Sequence, residues 1–195
     1  MTMDTIPLFH NKNIVLGVCG GIAAYKIADL ASKLTQAGAQ VDVILTESAT
    51  KFVGPVPFAA VTGRAALTDA DLWRHDQHVP HVQLGEKADL LIIAPATANT
   101  LAKLAHGQTD NLLTVTALAA RGPIILVPAM DGGMWSNAAT QANVALLRER
   151  GFHILGPAEG RMASGLIGEV RLVEPDEILG FARVVLGAKG QLAVR

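Results

Sequence analysis

Four short runs of aliphatic residues, each with almost no polar position, set the limits on what this chain can fold into. They are Asn13 to Val18, Val41 to Leu45, Asp89 to Ala94 and Pro123 to Val127. Continuous apolar runs of this length mark strands buried on both faces, as in a parallel sheet, rather than strands with one wet face. Between them lie stretches with helical spacing. Ile22 to Ala37 places Ile22, Tyr25, Ala28, Leu30, Ala31 and Leu34 on one side, and Gly38 stands where a helix would stop. Further helices are expected through Lys103 to Ala105, over Leu112 to Ala120, over Asn137 to Arg150 and over Glu174 to Leu186, with a last short strand at Phe152 to Leu155. Strand and helix alternate, which predicts an α/β fold: a doubly wound parallel sheet in three layers, Rossmann-like or flavodoxin-like, forming a single domain.

The chain divides simply. Residues 1–12 are expected to be disordered or extended, 13–186 to form the domain, and 187–195 to be a linker-like tail. Within the domain, 156–172 is rich in glycine and reads as a mobile flap, and Val53 to His78 reads as a helix plus connecting loops. Hydrophobic residues make up 50% of the chain and charged residues 17%, so part of the surface is expected to be buried against other subunits. The net charge of −1 argues against a nucleic-acid partner. No apolar run is long enough to span a membrane, and residues 1–13 lack the pattern of a signal peptide, so a cytoplasmic location is expected. The single cysteine, Cys19, excludes an intrachain disulfide and a cysteine-based zinc site.

In an open parallel sheet, ligands sit outside the carboxyl ends of the strands. Four segments should converge there: Gly20-Gly21-Ile22, Thr46-Glu47-Ser48, Pro95 to Thr100, and Pro128 to Trp135. Glycines let backbone approach a phosphate, helix N-termini offer free N–H groups, and Ser48, Thr97, Asn99 and Thr100 bring hydroxyl and amide groups. That set suits a mononucleotide with one phosphate. Each piece has a plainer alternative: a tight turn for Gly20-Gly21, and helix caps for Thr46, Ser48 and Asn99. Of six histidines, His10, His75, His78 and His106 read as solvated and His153 as a core residue. His81, just before the strand that starts near Asp89, is the one placed to act as acid, base or hydrogen-bond donor. A metal pair of His78 and His81 has no third ligand, so no metal is expected.

The segments GGIAAYK (20–26), His81 to Leu84, APATANTLAKLAHG (94–107), DNLLT (110–114) and PAMDGGMW (128–135) together resemble the homo-oligomeric flavin-containing cysteine decarboxylases. Within that family the likeness is greatest to the phosphopantothenoylcysteine decarboxylase domain of the bifunctional coenzyme A enzyme of bacteria. It runs from about Asn13 to Leu172. The resemblance implies FMN, held by Gly20, Gly21, Ile22, Thr46, Ser48, Thr97, Ala98, Asn99, Thr100 and Ala129. It implies homotrimers or dodecamers with sites between subunits, and a synthetase domain fused after residues like Gly190 to Ala193. It implies a carbon–carbon lyase that converts 4'-phosphopantothenoylcysteine to 4'-phosphopantetheine, with His81 as the essential histidine and Met130 and Met134 near substrate. The implied chemistry is oxidation at the carbon bearing sulfur, loss of CO2 to an enethiolate, and return of the electrons.

Two positions depart from the family pattern. Asp131 stands where asparagine would bind the substrate carboxylate, so an ionised Asp131 repels it and a protonated one donates to it. Ser164, in Ala163-Ser164-Gly165, stands where a cysteine would help protonate the enethiolate, and a hydroxyl is a far weaker acid than a thiol. Those departures keep open a non-catalytic FMN-binding regulatory protein. A flavin prenyltransferase is a second alternative, against which the Met130 to Trp135 segment counts.

Overall fold

The computed structural model describes residues 8–73, 79–161 and 167–192. Five parallel strands form one sheet: β1 Asn13–Val18, β2 Gln40–Leu45, β3 Leu90–Ala96, β4 Ile124–Pro128 and β5 His153–Ile154. Their order is β2-β1-β3-β4-β5. The chain steps outward from β1 to β2, then crosses back to β3 and continues the other way. The reversal places the switch point between β1 and β3.

Alternate residues of each strand serve two cores, which is why the runs carry so few polar positions. Ile14, Leu16, Val18, Leu90, Ile92 and Val127 pack with α1 (Ile27–Gln36) and α8 (Pro175–Leu192). Val15, Leu91, Ile93 and Leu126 pack on the other face with α4 (Ala98–His106), α5 (Leu112–Ala119) and α7 (Ala138–Glu149). This is the doubly wound, three-layer architecture expected. Among the described residues no helix is long and apolar enough to cross a membrane.

Several elements differ from expectation. The helix after β1 opens as a 3-10 turn, Ile22–Lys26, before α1 begins, and Gly38 ends the segment at φ +93, a left-handed conformation that glycine adopts without strain. The stretch before β3, for which no element was expected, is a helix, α3 (Pro80–Lys87), with Pro80 and His81 in its first turn. The segment after β4 holds a five-residue helix, α6 (Gly132–Ser136). Before α3, by contrast, α2 (Pro55–Thr62) and a 3-10 turn Asp69–Trp73 are the helix and connections expected between Val53 and His78, of which residues 74–78 lie outside the described residues. The described part of the flap is an antiparallel hairpin, β6 Ala158–Arg161 with β7 Ile167–Arg171. At the ends, residues 8–11 fold into a turn that buries Phe9 in the core, and α8 runs on to Leu192 through part of the stretch read as a linker. Phe9 supplies apolar area that outweighs the polar character of its neighbours.

Candidate functional site

The carboxyl edge is stitched together by backbone hydrogen bonds between loops distant in sequence. Thr46 N–H donates to the Val18 carbonyl at 3.1 Å, Cys19 N–H to the Pro95 carbonyl at 3.3 Å, and Ala129 N–H to the Ala96 carbonyl at 3.3 Å. The β1 and β2 loops touch at Gly20. A Cβ added there would lie 2.4 Å from Ser48 Cβ and 2.8 Å from the Ser48 carbonyl carbon. Only a residue without a side chain allows that approach. Gly21 is different: its backbone is extended, and a Cβ would meet only Pro95 Cγ, at 4.0 Å. The space above Gly21 is open, and the N–H groups opening the 3-10 turn lie beside it.

The hydroxyls at this edge divide into inward and outward sets. Thr46 is buried and its Oγ1 accepts from Ala49 N–H at 3.2 Å, so it serves the turn Ala49–Lys51. Ser48 is exposed and its hydroxyl has no partner among the described residues. Thr97 is the N-cap of α4, accepting from Thr100 N–H at 3.3 Å. Thr100 is buried, its Oγ1 lying 3.1 Å from Thr97 Oγ1 and 3.2 Å from Cys19 Sγ. Asn99 is exposed, with its amide free among the described residues, and Ala98 and Ala129 are half-buried. Gly20, Gly21, Ser48, Thr97, Ala98, Asn99 and Ala129 therefore line the edge, while Thr46 and Thr100 face inward. Ile22 points away from the core and is 80% exposed.

Cys19 anchors the inner end of this hydroxyl chain. Its side chain is 1% exposed, and burial pushes the thiol up to about 11 against the opposing pull of its Thr100 hydrogen bond. The thiolate is the reactive form, so Cys19 is protected twice. Iodoacetamide at pH 8 is expected to leave Cys19 unmodified in the folded protein and to alkylate it in urea, read as a mass shift. Modification at equal rates in both conditions would contradict the burial.

On the far side of the switch point, helices that precede parallel strands run opposite to them, so α3 and α5 begin at this same edge. His81 occupies the first turn of α3, half-buried. Its Nδ1 is enclosed and has no hydrogen-bond partner among the described residues. A residue the sequence did not single out braces this side. Asp69 accepts from Glu47 N–H at 3.1 Å and from Leu112 N–H at 3.0 Å, tying the β2 loop to the start of α5. No local pattern marks such a staple, because its partners are remote in sequence.

Asp131 caps α6: its Oδ1 accepts from Gly133 N–H at 2.8 Å, and its carbonyl accepts from Trp135 N–H at 2.9 Å. The residue is exposed, leaving its second carboxylate oxygen open. Met130 is half-buried against the core on the α4, α5 and α7 side of the sheet, whereas Met134 is exposed. Ser164, His75 and His78 lie outside the described residues. No cluster of three or more metal-ligating side chains occurs among the described residues. The edge as built combines an open glycine backbone with free hydroxyl and amide groups, a donor set that fits a flavin mononucleotide.

The Flavoprotein family model matches residues 8–186. The chain is 43% identical over 175 residues to the coenzyme A biosynthesis bifunctional protein CoaBC of Bacillus subtilis, covering 90% of this chain and 43% of that protein. It is 47% identical over 175 residues to the CoaBC of Mycobacterium tuberculosis, covering 90% of this chain and 41% of that protein. The chain thus spans less than half the length of these curated relatives. Among solved structures, it is similar to a cysteine-to-serine PPC decarboxylase mutant complexed with pantothenoylaminoethenethiol, with a TM-score of 0.81, 32% identity, and coverage of 90% of this chain and 98% of that one. It is also similar to the FMN binding protein AtHal3, with a TM-score of 0.79, 31% identity, and coverage of 90% and 96%.

Proposed function

The chain belongs to the Flavoprotein family, and from that premise we propose that it binds FMN and decarboxylates 4'-phosphopantothenoylcysteine to 4'-phosphopantetheine in coenzyme A biosynthesis. The observation that carries this reading is the convergence of the Gly20-Gly21 backbone, the free Ser48 and Asn99 groups and the half-buried His81 at one sheet edge. The curated relatives are coenzyme A biosynthesis proteins, which supports the substrate.

Gly20, Gly21, Ile22, Ser48, Thr97, Ala98, Asn99 and Ala129 are the residues that would hold FMN, while Thr46 and Thr100, expected from the sequence to contact it, face inward and would brace the loops behind it. When bound, the flavin supplies a two-electron oxidation that makes the carbon bearing sulfur an electron sink for the departing carboxylate. The protein's own groups position and protonate. With Nδ1 of His81 enclosed, Nε2 is the nitrogen left to meet substrate, where it donates or takes a proton. Met130 packs behind the site and Met134 lies open to substrate or a neighbouring subunit. Ser164, in the position of the family's cysteine, limits the last protonation. In support, the solved PPC decarboxylase mutant with serine in place of cysteine holds an enethiol.

Assembly as a homotrimer or dodecamer, with sites between subunits, belongs to the same reading. Exposed apolar side chains at Ile22, Tyr25, Leu118 and Met134 support it. A cytoplasmic location and a C-terminal synthetase partner belong to the same reading, the latter supported by the bifunctional name of the relatives.

Asp131 offers a check on substrate charge. An asparagine oxygen can accept from Gly133 N–H as the carboxylate does, so Asp131→Asn keeps the cap while removing a negative charge. Because Asp131 is exposed, water screens the repulsion, and KM for the acidic substrate is expected to fall about threefold to tenfold with kcat little changed. A raised KM would show that Asp131 donates to substrate. The function itself is tested by incubating FMN-loaded protein with 4'-phosphopantothenoylcysteine and following mass. Loss of CO2 is expected; unchanged substrate overturns the reading.

A further inference from the structure

Among the described residues, two buried polar side-chain atoms have no hydrogen-bond partner: His81 Nδ1 on α3 and Thr116 Oγ1 on α5. Their positions in the helix pair are related. A Cβ on Gly85 would lie 2.8 Å from both the carbonyl carbon and the Cβ of Ala119, so the two helices nearly touch there. Further on, Arg121 N–H donates to the Gly85 carbonyl at 3.3 Å, and a Cβ on Gly122 would lie 2.7 Å from the Ala88 oxygen. Gly85 therefore sits level with Ala119, and just past the ends of the two helices Gly122 approaches Ala88 and Asp89, so the helices run side by side in the same direction at that offset. The same offset carried one turn toward the N-termini sets His81 level with Val115 and Thr116. Residues three or four apart share a helix face, so His81 lies on the Gly85 face of α3 and Thr116 on the Ala119 face of α5.

Thr116 is 0% exposed. A buried hydroxyl left unmade costs about 1–3 kcal/mol, and helical threonines ordinarily avoid this by bonding the carbonyl four residues back. Thr116 does not make that bond. Among the described residues, the buried side-chain atom left unpartnered on the facing stripe is the imidazole Nδ1 of His81.

We propose that one buried water links the two, accepting from the Thr116 hydroxyl and donating to His81 Nδ1, and so holds the neutral ring with its proton on Nε2, the nitrogen aimed at substrate. Thr116 is then a positioning residue acting through His81. This rests on the reading that His81 acts in the decarboxylation, and it adds what fixes the imidazole's tautomer. The proton on one ring nitrogen is set by the hydrogen bond at the other.

The test uses the full chain loaded with FMN, with 15N-labelled histidine, and the variants Thr116→Val, Thr116→Ser and His81→Asn. The His81→Asn spectrum identifies the His81 signals. In the unmodified protein, Nδ1 is expected at the chemical shift of an unprotonated ring nitrogen and Nε2 at that of a protonated one. Thr116→Val should mix the tautomers and lower kcat about tenfold or more, with KM and FMN affinity unchanged, as is common when a residue orienting a functional imidazole is lost. Thr116→Ser should restore kcat to within about threefold. Melting temperature separates this from a packing role, because valine in place of an unsatisfied hydroxyl is neutral or stabilising. If Thr116→Val does not fold, Thr116→Ala carries the same expectation for kcat and tautomer. Full kcat and an unchanged spectrum in Thr116→Val overturn the inference alone. Full activity in His81→Asn overturns the role of His81 and this inference with it.

Discussion

Replacement of Ser164 by cysteine is expected to raise the rate of phosphopantetheine formation by about 10²-fold or more, while the rate of CO2 release stays the same. The difference lies in proton donation. Loss of CO2 leaves an enethiolate, which must take a proton on carbon as it regains two electrons. A thiol titrates near pH 8.5, whereas a serine hydroxyl is too weak an acid to give up its proton to carbon at useful rates. A well-placed general acid contributes about 10² to 10⁴ in rate, so its absence should make the last step slow and let the enethiol accumulate. Mass spectrometry of a single turnover separates the two events, because the enethiol and phosphopantetheine differ by two hydrogens. In the unmodified protein the enethiol signal should persist; in Ser164→Cys it should decay into product. Equal product rates in both would show that another group supplies the proton, and His81 would be the first candidate. CO2 release that also speeds up would place residue 164 earlier in the reaction.

What the sequence made legible was what burial imposes along a contiguous run. The strands β1, β3 and β4 stood out because nearly all of their positions are buried and so apolar, and β2, at the sheet edge, because only Gln40 and Asp42 break its apolar run. The edge segments followed from the strand ends. What stayed hidden depends on partners far along the chain. The helix α3 carries Val82 exposed and Gly85 buried, the reverse of an amphipathic pattern, since its inner face is a glycine set against Ala119. Pro80 at its first turn is the one local mark of this helix, so the sequence placed His81 only as lying before the strand near Asp89. The helix α6 begins Gly132-Gly133, residues of poor helix propensity, and exists because Asp131 caps it and α7 supports it. Thr46 and Ser48 looked equivalent in sequence, yet one hydroxyl is spent on Ala49 N–H and the other is free. Asp69 gave no signal at all, because its two acceptor bonds reach 22 and 43 residues away.

Gly20→Ala is expected to weaken FMN binding by more than 100-fold and to lower stability by about 1–3 kcal/mol. The added methyl would sit 2.4 Å from Ser48 Cβ and 2.9 Å from the Ser48 carbonyl oxygen. Ser48 cannot yield by a rotamer change, because the clash is with its Cβ and backbone, so the β1 and β2 loops must part. Those loops carry the open backbone of Gly21 and the free hydroxyl of Ser48, and a displacement near 1 Å is enough to misalign hydrogen bonds that need donor and acceptor within about 3 Å. Gly21→Ala supplies the contrast. Its methyl would meet only Pro95 Cγ at 4.0 Å, so the fold should tolerate it, while the space it fills is the one proposed for the cofactor. The two variants therefore separate folding from binding: Gly20→Ala should lose both melting temperature and flavin, and Gly21→Ala should lose flavin alone. Quenching of FMN fluorescence on titration into apoprotein gives the affinities, and thermal melts of the apoproteins give the stabilities. If Gly21→Ala binds FMN as tightly as the unmodified protein, the cofactor does not lie over Gly21, and the carboxyl edge loses its assignment as the flavin site.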